Sequence, residues 1–366
     1  MSSHSPDAIV IGAGIIGASI AWKLARAGLR ISILDSGTIG SEASWAGAGM
    51  LAPGGEVETR DIWLDLALES LRMYPDYVTQ LDAESGVSID YRRCGAVEVA
   101  FEGGEYEALA RRAELQRPMG IPSLVLDGSE LRQLVPIFDR ASAGALFYPA
   151  DAIVDPRDIM RALRTACCAA GVEIREGWRA VRIQLSADSV QVENTSGDVL
   201  RAAAAVLAAG AWSSEIAVSG ITIPPLPRAF PVKGHLTAYN CSPRTLGPIL
   251  RRGHTYLLQR SSGFTIAGTS SEDAGFDRSI DAGVVSDITA RACELLPALA
   301  GERPVAAWAG FRPAADSAGP VIQRAGDSPL WLAYGHYRNG ILLAPVTASR
   351  ISREIAEGRG AQRGNT

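Results

Sequence analysis

The chain has 366 residues, 47% hydrophobic and 20% charged, with a net charge of −5. That composition excludes a disordered chain, a collagen-like repeat and a polybasic nucleic-acid binder. Five cysteines without a CxxC pair and four scattered histidines argue against a disulfide scaffold or a zinc site, and point to a cytoplasmic protein with no bound metal. The uncharged run from Ala8 to Trp22 has no basic residue before it and is too short to span a bilayer, so no stable membrane insertion is expected.

Ala8–Ile11 reads as a buried strand, Ile15–Ala27 as a helix and Leu29–Leu34 as a second strand ending at Asp35. A glycine- and serine-rich loop over Ser36–Gly55 precedes a long helix, Asp61–Glu84, and strands within Val87–Phe101. A helix with proline in its first turn, Pro156–Ala170, leads to a strand at Val172–Ile174. Strands follow at Arg179–Leu185, Ser189–Asn194, Ala203–Leu207 and Arg228–Ala238, and another runs from Tyr256 to Gly268 with a turn at Ser261–Gly263. Val284–Leu296 is helical and stopped by Pro297; Pro304–Pro313 and Pro329–Tyr334 are strands, and Ile341–Glu357 is the last helix, leaving Gly358–Thr366 as a polar, fraying tail. The pattern predicts an α/β protein with a Rossmann-like dinucleotide domain built from residues 1–85, 142–216 and 303–366. An α+β antiparallel-sheet substrate domain takes 86–141 and 217–302.

Gly12-Ala13-Gly14-Ile15-Ile16-Gly17 fits G-x-G-x-x-G between a strand and a helix, with Asp35 ending the next strand. Gly12 permits a tight turn, Gly14 lets the backbone approach a pyrophosphate, and Gly17 lets helix and strand pack closely. Unpaired N–H groups at the helix start favour a phosphate, and Asp35 suits a ribose hydroxyl. A second run, Gly47-Ala48-Gly49-Met50-Leu51-Ala52, has no strand before it and reads as a loop that could approach a flat ligand.

Four more segments carry a resemblance. Ala203–Ser213 (AAAVLAAGAWS) is similar to the second flavin-side motif of FAD-dependent oxidoreductases. Ser44–Leu51 (SWAGAGML), Ala307–Pro313 (AWAGFRP) and Gly335–Pro345 (GHYRNGILLAP) resemble the glycine oxidases of the D-amino acid oxidase / sarcosine oxidase group, over about Ala8 to Glu357. The resemblance implies that Gly12, Gly14, Ile15, Ile16, Gly17, Asp35 and Ser36 hold the adenine-side phosphate and ribose of FAD. Ala43, Ser44, Ala48, Gly49 and Met50 would lie along the flavin, with Val181 near the adenine and Gly210 in the flavin-side motif. His336, Tyr337, Arg338, Asn339, Gly340, Ile341 and Leu342 would run beside the isoalloxazine.

On the substrate side it implies that Arg312 pairs with a carboxylate, helped by Tyr256, with Arg338 as an outer contact. His254 and Met50 either line that pocket or serve the core. The cysteine that holds covalent flavin in sarcosine-type relatives has no counterpart near Ala307–Gly319, so FAD is expected to bind non-covalently; Gln323 stands where relatives tend to have a glycine, which leaves the geometry of the loop after Arg312 open. The implied reaction is oxidation of glycine, or of another small amine, to glyoxylate, ammonia and hydrogen peroxide with O2, with a place in thiamine biosynthesis. A homo-oligomer is compatible with the resemblance. Sequence alone leaves open sarcosine or D-amino acid oxidation, a dehydrogenase passing electrons to a quinone, and a non-catalytic flavin module.

Overall fold

The computed structural model describes residues 5–57 and 60–363. A six-stranded sheet runs in the order Val321–Arg324, Leu330–Tyr334, Ala204–Leu207, Ala8–Ile11, Ile31–Leu34, Glu173–Arg175. All neighbours are parallel except the first pair. The four inner strands are buried at every position, as expected for a sheet covered on both faces. Ala8 and Val10 turn toward the helices Ile15–Arg26, Ile62–Ser85, Pro156–Ala169 and Gly340–Arg363. Ile9 and Ile11 turn the other way, onto the four-stranded sheet of Val199–Ala202, Val190–Asn194, Ala180–Leu185 and Ala217–Gly220.

The close contact between the first helix and its sheet depends on Gly17, where a Cβ would overlap the main-chain carbonyl of Gly12. The last helix contains Pro345, which lacks the N–H that would bond Ile341 O. The Tyr74 hydroxyl donates to that carbonyl at 3.0 Å, and Ser70 Oγ donates to Leu342 O at 2.6 Å while accepting Val346 N–H at 3.3 Å. Two side chains of the Ile62–Ser85 helix thus repair the opened turn and hold it in place.

An eight-stranded sheet follows the order Ala306–Ala315, Ala229–Asn240, Phe264–Gly268, Thr255–Gln259, Ile249–Arg252, Ala96–Ala100, Gly144–Tyr148, Leu124–Asp127. Only the Ile249–Arg252/Ala96–Ala100 pair is parallel. Ile288, Ala292 and Leu295 of the helix Ala282–Leu295 pack with Val97, Val99 and Leu257 of this sheet. Two of its strands, Gly144–Tyr148 and Ala306–Ala315, come from residues that the sequence division gives to the dinucleotide side. Their edges pair with the substrate-side strands, and that pairing decides their sheet.

Other differences from the sequence reading are local. The helices Gly103–Gln116 and Gly128–Leu134 and the strand Leu124–Asp127 occupy a stretch that the pattern left unassigned. The last helix runs on to Arg363 through most of the expected tail; residues 364–366 lie outside the described residues. No helix among the described residues is long and apolar enough to cross a membrane. Among them, too, no three His, Cys, Asp or Glu side chains group as a metal site.

Candidate active site

A cavity of about 520 Å³ is lined from both large sheets. Gly12, Gly14, Ile15, Ile16, Asp35 and Ser36 line the part at the end of the first strand. Asp35 accepts the Ala13 N–H at 2.7 Å and the Gly37 N–H at 2.8 Å, which holds its carboxylate across the glycine turn. Burial raises its pKa, and the two N–H donors oppose that shift. Ser44 Oγ accepts the Ile15 N–H at 2.9 Å, tying the helix start to the next segment.

Ala43, Ser44, Ala48, Gly49 and Met50 continue the wall, and Val181 and Gly210 face the same space. The second glycine run follows a short helical turn, Ala43–Ala46, begins as irregular chain and then forms a two-residue strand, Met50–Leu51. Arg260, 4% exposed, donates to the carbonyls of Val154 and Ala48 and so fixes that wall from the eight-stranded sheet.

His336, Tyr337, Arg338, Asn339, Gly340 and Ile341 also line the cavity, and the helix Gly340–Arg363 opens there. Tyr337 adopts a left-handed backbone, φ 49°, at the centre of this strip. The His336 ring is buried with Nε2 3.0 Å from Thr347 Oγ1, and burial pushes its pKa down to about 3.

Arg312 and Tyr256 enter from the eight-stranded sheet. Arg312 pairs in register with Val232, which lays its side chain over Gly234; a Cβ there would overlap the guanidinium. Arg312 Nη2 donates to Thr269 Oγ1 at 2.7 Å and Nη1 to Lys233 O at 3.3 Å. Burial lowers its pKa; Tyr256, Tyr337 and Glu272 act against that shift and Arg338 with it. A guanidinium stays charged under such shifts, so the group is a fixed cation in a half-dry pocket. The Tyr256 ring lies over Gly268, its cross-strand partner.

Three residues named from the sequence stand elsewhere. His254 sits exposed in the two-residue turn between Ile249–Arg252 and Thr255–Gln259, in a separate recess with Phe101 and Arg291. The tight turn breaks the alternation that would have aligned it with Tyr256. Leu342 is buried in the helical core, one residue past the lining, and Gly17 acts by packing rather than by facing the cavity.

Sequence reasoning missed Thr269, Leu236 and Arg278, which line the cavity, and Gly234. Arg278 forks onto Glu42 at 2.7 and 3.1 Å, beside the stack of Phe276 on Trp212, centroids 4.8 Å apart. The available signal was small: Gly234 within one strand and Gly268 at the end of another mark places where another group comes close.

The comparisons agree with this geometry. Residues 7–353 match the DAO family, described as FAD dependent oxidoreductase. A glycine oxidase of Geobacillus kaustophilus (strain HTA426) is 32% identical over 96% of this chain and 93% of its own length. The bifunctional protein ThiO/ThiG of Synechocystis sp. (strain ATCC 27184 / PCC 6803 / Kazusa) is 34% identical over 96% of this chain, which spans 52% of that protein. The crystal structure of glycine oxidase from Geobacillus kaustophilus superposes with a TM-score of 0.88 at 30% identity, covering 97% of this chain and 95% of that one. A glycine turn with its acidic partner, a cavity reaching across two sheets and a match spanning nearly every residue converge on one conclusion: the chain belongs to the DAO family of FAD-dependent oxidoreductases.

Proposed function

We propose that this protein oxidises glycine, or a similarly small amino acid, to the imino acid, which hydrolyses to glyoxylate and ammonia while O2 becomes hydrogen peroxide. The observation that carries this reading is Arg312, a half-buried guanidinium fixed by Thr269 and Lys233 O inside the cavity that also holds the dinucleotide turn. Such a fork suits a carboxylate, and one carboxylate contact fixes where the substrate's α-carbon stands.

The lining fits FAD. Gly12 and Gly14 would admit the pyrophosphate, Asp35 a ribose hydroxyl, and the wall from Ala48 to Met50 with the strip from His336 to Ile341 a planar ring system. None of the five cysteines lines the cavity, which supports non-covalent binding. When bound, FAD supplies a hydride acceptor at N5 and passes the electrons on to O2.

The chain's own work is positioning. Arg312 binds the carboxylate, the Tyr256 hydroxyl stands beside it, and Met50 and Leu236 exclude water from the small volume between. No side chain is assigned the amine proton; a substrate arriving as the neutral amine needs none. The six-stranded sheet would serve the cofactor and the eight-stranded sheet the substrate. A role in thiamine biosynthesis rests on the likeness to the bifunctional ThiO/ThiG protein.

FAD-loaded protein mixed anaerobically with glycine, sarcosine or single D-amino acids should bleach with glycine, and air should then release stoichiometric peroxide. Bleaching without peroxide would transfer the reading to a dehydrogenase with another acceptor. No bleaching with any amino acid would overturn it.

A further inference from the structure

His235 lies on the strand Ala229–Asn240 between Gly234 and Leu236, which line the cavity; alternation places its side chain on the opposite face. There it is completely buried. The Asp281 N–H can only donate, and it meets Nε2 at 3.2 Å, so the ring proton sits on Nδ1. Nδ1 faces Glu272 Oε1 at 2.8 Å. Ser270 Oγ accepts the His235 N–H at 2.8 Å and donates to the same Glu272 oxygen at 2.5 Å. Glu272 exchanges main-chain hydrogen bonds with Lys233 at 2.9 and 3.0 Å. The segment 269–272 is therefore pinned alongside this strand, with Ser270 and Glu272 reaching the His235 ring, and its first residue turns into the cavity. Thr269 Oγ1 donates toward His235 O at 3.1 Å and accepts from Arg312 Nη2 at 2.7 Å. Both acceptors of the Arg312 guanidinium, Thr269 Oγ1 and Lys233 O, thus belong to one network with His235 at its centre.

We propose that His235 is a positioning residue for carboxylate recognition: from the far face of the sheet it holds segment 269–272 in the place from which Thr269 orients Arg312. A rigid ring with a donor on one side and an acceptor on the other meets two separate requirements, the Glu272 carboxylate and the main chain entering the helix Ala282–Leu295. Its effect reaches the substrate through Thr269 and Arg312, not by contact.

The inference rests on the amino-acid reading, and the wild-type holoprotein tests that reading separately through acetate binding, followed by flavin absorbance, and glycine turnover. Against that baseline, His235→Leu should keep its FAD, lose acetate affinity and raise the glycine KM together by about 10- to 100-fold, with kcat within about threefold. His235→Asn, which returns a donor toward Glu272, should recover much of the loss. Adding His235→Leu to Thr269→Val should be no worse than Thr269→Val alone, since both act on one hydrogen bond.

Wild-type acetate affinity and KM in His235→Leu would overturn the proposal, as would losses in that variant that simply add to those of Thr269→Val. Should His235→Leu yield no soluble holoprotein, Glu272→Ala decides, because that side chain is a quarter exposed and its loss leaves no buried void. Weakened acetate binding in Glu272→Ala supports the network, and unchanged binding refutes it. If wild type neither binds acetate nor consumes any amino acid, the underlying reading fails and takes the proposal with it.

Discussion

The turn at Gly12–Gly17 and the proposed carboxylate anchor at Arg312 face one cavity but are built in opposite ways. The turn spans six consecutive residues, and what it offers a ligand is main chain: N–H groups at a helix start, brought close because three positions lack a Cβ. The anchor offers side chains, and its parts come from four strands and a loop of the eight-stranded sheet. Gly234 contributes no side chain, yet Arg312 lies where it does because nothing projects from Gly234. Backbone recognition is a local property of a chain. Side-chain recognition is a property of strand register.

The heaviest blow to the first region is Gly17→Val. Its side chain would collide with the Gly12 carbonyl, a main-chain atom between a buried strand and a buried helix. Overpacking against backbone costs about 3 kcal/mol or more, so little soluble FAD-loaded protein should be recovered. A normal FAD-to-protein ratio and melting midpoint would show that the turn has slack this structure does not display. In the second region Arg312→Ala should leave FAD content unchanged and raise the glycine KM about 100- to 1000-fold, the usual consequence of removing one partner of a desolvated charge pair. If FAD is lost as well, the two regions are not separable.

The same contrast explains what could be read from the amino-acid order. Gly12, Gly14 and Gly17 declare themselves because they sit within six consecutive residues and each has one steric reason, and Asp35 because it ends the next strand of the same β-α-β unit. Arg312 stood out only through a resemblance, and Thr269 and His235 did not stand out at all: no local pattern says which strands will be neighbours. His254 was misplaced because alternation was carried through what is a tight turn. The helices Gly103–Gln116 and Gly128–Leu134 escaped because few of their residues are buried, which blurs the apolar period. Their starts were nonetheless written in the chain as capping boxes, Glu102 with Glu105 and Asp127 with Glu130.

Two intermediate tests sharpen the comparison. On the cofactor side His336 serves stability: its pKa in the folded protein is about 3, against an ordinary value near 6.5. The unfolded chain takes up a proton as pH falls below about 6.5 and the folded chain does not, so its contribution is intact above that pH and shrinks toward pH 3. About 2–3 kcal/mol should be lost by pH 4.5, and His336→Gln, which does not titrate, should flatten that part of the urea-unfolding profile. An unaltered acid slope would mean that the buried imidazole is not its source. On the substrate side Gly234→Ala adds one methyl that must displace the Arg312 guanidinium. The glycine KM should rise about tenfold with FAD intact, a glycine substitution that mimics loss of an arginine.

The smallest effect is expected at Arg278, which lines the cavity as Arg312 does and is a cation as Arg312 is. The difference lies in what already occupies its fork. Both terminal nitrogens of Arg278 are engaged by Glu42, and the pair is open to solvent, with the arginine side chain 63% exposed. An exposed pair contributes at most about 1 kcal/mol and has no vacant edge for a substrate carboxylate. Arg278→Ala should therefore shift the glycine KM by less than about threefold and lower stability by less than about 1 kcal/mol, less still in high salt. A rise in KM approaching that of Arg312→Ala would break the comparison at its centre, because charge within the cavity, rather than a guanidinium aimed by register and Thr269, would then be what recognises the substrate.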